Sequence, residues 1–148
     1  ILGNEYSAIL KNIYAIAAGI ASGLGYGDNF NAVLVSNAIR EMELFLDAVY
    51  PEHREVNDSA YLGDLLVTAY SLFSRNRNLG NLIGKGYTVK SAVQSMSMVA
   101  EGYYATRGIY EIAYEKKLKT PIINTVFSIL YEGKDAEKQF KKLTEKLT

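Results

Sequence analysis

The feature that most constrains this 148-residue chain is a helical spacing of apolar residues that runs almost from end to end. Between residues 32 and 49, apolar side chains recur in alternating steps of three and four residues, which places them on one helical face. They are Ala32, Val35, Ile39, Met42, Leu46 and Val49. Leu34, Ala38, Leu44, Phe45 and Ala48 form an adjoining apolar face. We therefore expect this helix to be buried on much of its circumference.

The same pattern and the turn residues predict where the other helices lie. Asp28 and Asn29 are suitable caps for the start of the helix just described, and Pro51 marks its end. Further helices are predicted at about 4–24, 58–71, 75–84, 88–95, 99–117, 121–131 and 135–147, with Pro121 as the first residue of its helix. No run of β-branched residues alternates with the period of a strand. The sequence thus predicts one all-α bundle, a single domain over residues 1–148.

Composition excludes several kinds of site. Lys plus Arg and Asp plus Glu number 16 each, so the chain lacks the basic surplus typical of proteins that bind nucleic acid or anionic membranes. There is no cysteine, which rules out disulfides, thiolate metal sites and cysteine nucleophiles. The single histidine, His53, lies in a charged stretch and is expected to be an exposed loop residue, so neither a metal site nor a catalytic triad is predicted.

The expected cellular location rests on the absence of a predicted membrane span and of a signal peptide in this sequence. The most apolar stretch, residues 13–25, is too short and too rich in small residues to predict a membrane span. Glu5 and Lys11 interrupt the region where a signal peptide would need an apolar core. We therefore expect a cytoplasmic protein. Because the chain begins with Ile1, we also expect it to be a piece of a longer protein.

Two charged residues interrupt apolar helices, and both are candidate functional groups. Lys11 stands in the most apolar helix, where its helical neighbours are small enough to leave room for a ligand; the alternative is a lysine whose ammonium simply reaches solvent. Asp64 lies between leucines, with Thr68 one turn further along. A carboxylate in such a place is costly unless it is paired, so it serves either a ligand or a buried structural donor.

A third candidate lies at the predicted start of a helix. Ser74 is a suitable N-cap, and Arg75 and Asn76 follow it in the first turn. A helix N-terminus with an arginine beside it is suited to bind a phosphate or carboxylate. The alternative is a capped helix whose arginines extend into solvent.

Short motifs in a specific order connect these candidates. They are Leu10-Lys11-Asn12, Leu62-Gly63-Asp64-Leu65, Ser74-Arg75-Asn76-Arg77, Gly84-Lys85-Gly86, Val99-Ala100-Glu101-Gly102, Pro121-Ile122 and Leu130-Tyr131-Glu132-Gly133. In this order the chain resembles, over essentially its whole length, the C-terminal domain of bacterial-type NAD(P)-dependent glycerol-3-phosphate dehydrogenases. The resemblance implies an all-α bundle of the 6-phosphogluconate dehydrogenase C-terminal-like type.

The resemblance also implies an activity and roles for individual residues. The family interconverts glycerol 3-phosphate and dihydroxyacetone phosphate by hydride transfer with NAD or NADP. By resemblance, Lys11 exchanges the proton of the substrate's C2 hydroxyl, and Asp64 holds Lys11 and the substrate. The substrate-binding residues are Lys11, Asp64, Ser74, Arg75 and Asn76; the cofactor-binding residues are Arg75, Val99 and Glu101; Asn12 and Thr68 are secondary candidates.

The family's N-terminal Rossmann domain is not found in this sequence. We therefore expect the chain to fold but not to catalyse, since the nicotinamide site and half of the substrate pocket would lie in that missing domain. The implied partners are a small phosphate-bearing substrate and the chain's own Rossmann domain, and a homodimer is a further hypothesis.

Two other interpretations remain open from the residues. One is a hydroxyacid or 6-phosphogluconate-type dehydrogenase, in which an asparagine tends to follow the catalytic lysine by four residues; here that position is Ala15, and the asparagine is Asn12. The other is a non-enzymatic helical interaction module, which predicts an exposed apolar groove and no convergence of Lys11, Asp64 and Arg75.

Overall fold

The computed structural model describes residues 2–49 and 75–148, and in this part of the chain the only regular secondary structure is helix. Its helices are α1 (Leu2–Leu24), α2 (Asp28–Val49), α3 (Arg75–Gly84), α4 (Val89–Ser95), α5 (Glu101–Glu115), α6 (Pro121–Tyr131) and α7 (Ala136–Lys146). The prediction of an all-α bundle is confirmed. The predicted helix over residues 58–71 lies outside the described residues, as does His53.

Helix α1 is the centre of the bundle, since it contacts α2, α3, α5, α6 and α7. Its side chains are buried almost continuously from Ile13 to Ala21. The stretch Tyr6–Leu24 is long and apolar enough to cross a membrane by length and composition alone. However, 61% of this stretch is buried inside the fold, as expected for a core helix. Its apolar character is therefore accounted for by packing.

Glycines bring α1 and α3 into backbone contact. A Cβ atom added at Gly19 would overlap the carbonyl oxygen of Arg77, and one added at Gly80 would overlap the carbonyl oxygen of Ile16. In the same way, a Cβ atom at Gly23 would overlap the carbonyl oxygen of Asn81, and one at Gly84 would overlap that of Ile20. Because α3 can approach α1 only where side chains are absent, these glycines fix the position of α3 on the central helix.

The predicted boundaries of α3 and α6 agree with the structure, and the largest difference is at α5. This helix was predicted over residues 99–117 but begins at Glu101 and ends at Glu115. Its start is later because Ala100 is extended, with φ −87° and ψ 104°. The helix ends early because Lys117 has a left-handed φ of 57°, a conformation that cannot occur within a right-handed α-helix.

The two apolar faces predicted on α2 are only partly buried. Leu34, Val35, Ala38 and Phe45 lie in the core, as expected. Ala32 and Leu44 are exposed instead, the leucine by 41%. Helix α2 lies at the edge of the described bundle and contacts it along one side, so the prediction of burial around much of its circumference is wrong for these positions.

Candidate functional site

Lys11 and Asn12 lie in the middle of α1, where the helix passes the start of α5. Both residues are half-buried. The contact runs through Gly102, the second residue of α5. A Cβ added there would lie 3.0 Å from the carbonyl oxygen of Asn12 and 2.9 Å from Cδ1 of Ile16. The absence of a side chain at Gly102 thus lets the start of α5 approach the turn of α1 that carries Lys11.

Asn76 joins the start of α3 to the same point. Its side chain is buried, and its Oδ1 accepts a hydrogen bond of 2.7 Å from the backbone N–H of Gly102. Ala100, the N-cap residue of α5, offers no side-chain hydrogen bond. Asn76 therefore provides the acceptor that an N-cap residue would normally supply to the first turn of the helix.

Arg75 precedes Asn76 and is exposed at the first position of α3. Its guanidinium donates from Nη1 to the thioether sulfur of Met98, at 3.4 Å. Met98 lies in the connection between α4 and α5. The pairs Arg75–Met98 and Asn76–Gly102 are therefore adjacent contacts that fasten the start of α3 to the residues that lead into α5.

Val99 lies within this connection and Glu101 follows it as the first residue of α5; both are exposed, and the exposed fraction of Val99 is 59%. Next to them is a cavity of about 230 Å³ whose lining is largely apolar. Its walls are formed by Leu79, Val93, Met96, Ser97, Met98, Val99, Ala100, Tyr103 and Tyr104. An exposed apolar hollow, the feature that an interaction module predicts, thus lies directly beside the predicted site residues.

The structure therefore brings together the segments 11–12, 75–76 and 99–101, which are far apart in sequence and carry most of the predicted site residues. Asp64, Thr68 and Ser74 lie outside the described residues, so their placement stays a prediction. Among the described residues no group of three or more histidine, cysteine or acidic side chains could hold a metal ion. The described segments carry an arginine at a helix start and a lysine, two cations of a kind suited to an anionic ligand, and in addition the exposed acid Glu101.

Sequence reasoning missed one buried acid, Glu41 in α2. Its carboxylate accepts hydrogen bonds from the backbone N–H groups of Ile122 and Ile123, at 2.9 and 3.0 Å, and from the hydroxyl of Tyr14, at 3.1 Å. Burial raises the pKa of Glu41 from 4.5 to about 7, although the backbone hydrogen bonds and the bond from Tyr14 act in the opposite direction. Burial also raises the pKa of Tyr14, and the Glu41 charge adds to this shift.

The signal for Glu41 was its position in the helical repeat. It shares a face of α2 with Leu34, Ala38 and Phe45, all of which are buried. An acid on such a face requires polar partners, and here they are the first backbone amides of α6.

Fold and site together define a helical domain in which segments that carry a lysine, an arginine and an asparagine meet at one junction of three helices. The family model described as "NAD-dependent glycerol-3-phosphate dehydrogenase C-terminus" matches residues 1–141. The chain belongs to this family, which confirms the resemblance found in the sequence.

Relatives and solved structures give the same assignment. The chain is 40% identical to the glycerol-3-phosphate dehydrogenase [NAD(P)+] of Desulfotalea psychrophila, over 95% of this chain and 42% of the relative's length. It is 38% identical to the enzyme of the same name from Bacillus pumilus, over 97% of this chain and 41% of that protein. A crystal structure of glycerol-3-phosphate dehydrogenase from Coxiella burnetii superimposes with a TM-score of 0.90 at 31% identity, covering 98% of this chain and 45% of that one. The chain thus spans about two fifths of these relatives' length.

Proposed function

We propose that this chain is the substrate-binding domain, over residues 1–148, of a glycerol-3-phosphate dehydrogenase, and that it carries the catalytic lysine. The observation that supports the proposal is the junction at which the segments bearing Lys11, Arg75 and Glu101 come together through contacts of Asn12, Asn76 and Gly102. The relatives named above are glycerol-3-phosphate dehydrogenases, which makes a three-carbon phosphate the ligand that fits best.

In this proposal Arg75 and Ser74 bind the substrate phosphate. A guanidinium offers planar paired donors that match phosphate oxygens, and its place at the start of α3 adds the positive end of the helix dipole. Asn76 contributes its Nδ2 group, because its Oδ1 accepts from Gly102. The affinity of the domain for the substrate therefore depends chiefly on Arg75.

Lys11 acts on the other end of the substrate. During oxidation it takes the proton of the C2 hydroxyl, and during reduction it returns a proton to the oxygen at C2, as an ammonium can. Asp64 orients Lys11 and the substrate hydroxyls, with Asn12 and Thr68 in supporting positions. This division places the phosphate at α3 and the reacting carbon at α1.

NAD or NADP supplies the acceptor or donor of hydride. The described residues fit such a group, since Val99 offers an exposed apolar surface and both Arg75 and Glu101 carry exposed charged side chains. In the proposal these three residues contact the cofactor, which is held mainly by an N-terminal Rossmann domain. The 148 residues alone therefore bind substrate but do not turn it over. We further propose a cytoplasmic location and a homodimer.

The test is a titration of the 148-residue chain with glycerol 3-phosphate, followed through its backbone NMR signals. We expect shifts at residues 11–12, 75–76 and 99–102. Replacing Arg75 with Ala should weaken binding about tenfold or more, since a charge-assisted hydrogen bond is lost. Arg107→Ala is the matched control, because Arg107 is also an exposed arginine but lies within α5 beside Glu111.

Two results would contradict the proposal. One is binding that is unchanged in the Arg75→Ala variant; the other is a set of shifts centred away from the three segments. A separate assay of the 148 residues with NAD+ or NADP+ and glycerol 3-phosphate should show no turnover, and substantial turnover would refute the proposed need for a Rossmann domain.

A further inference from the structure

Met98 is a residue without an assigned role in the site, and its position is unusual for a large apolar side chain. It is 60% exposed, yet its sulfur accepts from the guanidinium of Arg75. The other two methionines differ from it: Met42 is 1% exposed in the core, and Met96 is half-buried. Burial therefore does not explain why Met98 lies where it does.

The backbone on both sides of this contact is held in place. Asn76, next to Arg75, is bonded to Gly102, and the N–H of Met96 donates to the carbonyl oxygen of Val93 at 3.3 Å. The backbone is therefore held one residue after Arg75 and two residues before Met98. The contact between Arg75 and Met98 then limits where the guanidinium itself can point.

A thioether has a particular effect as the partner of an arginine. It is a weak, uncharged acceptor, so it orients the guanidinium without neutralising its charge. A carboxylate at this position would hold the arginine more tightly but would compete with an anionic ligand. Because Arg has five N–H donors, a bond from Nη1 to sulfur leaves others for a phosphate.

We propose that Met98 is a positioning residue that pre-orients Arg75 for the substrate phosphate through its thioether sulfur. This inference rests on the proposed function, since it requires Arg75 to bind phosphate. It adds a determinant of affinity that lies in the connection between α4 and α5, outside the motifs that identify the family.

Two substitutions at Met98 test the role of the sulfur. Met98→Leu keeps an apolar side chain of similar size but removes the acceptor, and we expect about twofold to threefold weaker binding of glycerol 3-phosphate. Met98→Glu offers a charged partner that pairs with Arg75 and repels the ligand, so we expect a loss of about fivefold to tenfold. Met96→Leu is the matched control, because Met96 lines the same cavity without being the partner of Arg75, and its affinity should equal that of the unchanged chain.

A second measurement follows the guanidinium without ligand. NMR relaxation of the Arg75 side-chain Nε–H group should show greater mobility in Met98→Leu than in the unchanged chain or in Met96→Leu. The inference is overturned if this mobility is unchanged, or if it increases while the affinity stays the same. If Arg75→Ala weakens binding but neither Met98 variant does, the inference fails and the proposed function stands. If Arg75→Ala has no effect, the proposed function fails and the inference fails with it.

Discussion

Two helices of the bundle begin on caps from their own sequence, whereas two others begin on caps from distant helices. Thr88 accepts from the N–H of Ser91 at the start of α4, and Asp135 accepts from the N–H of Lys138 at the start of α7, both at 3.0 Å. By contrast, α5 is capped by Asn76 of α3, and α6 is capped by Glu41 of α2. The N-cap residues of α5 and α6, Ala100 and Thr120, provide no side-chain cap of their own.

The difference shows which helix starts depend on the tertiary structure. A local cap is present whenever its own turn forms, but a distant cap acts only after two helices have packed. The start of α5 is also one side of the candidate site. The geometry of the site is therefore coupled to the docking of α3, and that docking relies on the glycine contacts with α1.

The largest effect that distinguishes the two kinds of cap should come from Glu41 and should depend on pH. The pKa of Glu41 is about 7 in the folded chain against an ordinary value of 4.5, so the folded state retains a proton that the unfolded state releases. Its contribution to stability is complete below pH 4.5 and is lost as the pH rises through 7. The shift corresponds to a loss of at most about 3 kcal/mol in the free energy of unfolding between acidic and basic conditions.

This pH-dependent loss of stability is measured by denaturant unfolding of the unchanged chain and of Glu41→Gln, each at about pH 5 and about pH 8. We expect Glu41→Gln to be less stable overall, because one of the two carboxylate oxygens that accept from α6 is replaced by an NH2 group, which cannot accept a hydrogen bond. Its stability should nevertheless fall less with rising pH than that of the unchanged chain. Asp47→Asn, an exposed substitution on the same helix, should keep the full pH dependence. An equal pH dependence in Glu41→Gln would show that burial does not govern this carboxylate.

Asn76 should give the next largest effect. Asn76→Ala leaves the buried N–H of Gly102 without its acceptor, which should destabilise the fold by about 2 kcal/mol. Asn76→Asp keeps an acceptor beside the positive end of α5 and should recover part of that loss. Thermal unfolding measures both, with Asn78→Ala as the control, since Asn78 is exposed on the same helix. A loss in Asn78→Ala as large as that in Asn76→Ala would contradict a specific capping role.

The same comparison explains how far the sequence predicts this molecule. The predicted helices at 88–95 and 135–147 begin on the residues that act as caps, because a local cap is encoded within one turn. The start of α5 was predicted two residues early, since the residue that caps it lies 26 positions away. Glu41 was missed for the same reason, with partners 81 and 82 positions further along the chain.

For the candidate site, too, the sequence indicates individual residues but not the long-range contacts among them. Lys11 stood out as a charge in an apolar helix, and Arg75 as a cation at the positive end of a helix. Asn76 was selected with Arg75 because both lie in the first turn of the same predicted helix. The resemblance implies that these residues share one site, but the contacts at Gly102 that bring their segments together could not be predicted, because they depend on a close approach of three backbones. The contact of Arg75 with Met98 was also not predictable, since an isolated methionine in a loop carries no signal of its partner.

The smallest effect should come from a local cap. Asp135→Ala removes the acceptor for the N–H of Lys138 and a negative charge at the positive end of α7, and should destabilise the chain by about 1 kcal/mol. Water can reach this exposed helix start and replace part of the lost bond, whereas water is excluded at Gly102. Hydrogen exchange should therefore show faster exchange confined to the first turn of α7, while Asn76→Ala should raise exchange at the starts of both α5 and α3. Faster exchange throughout the bundle in Asp135→Ala would mean that local and distant caps do not differ in their coupling to the fold.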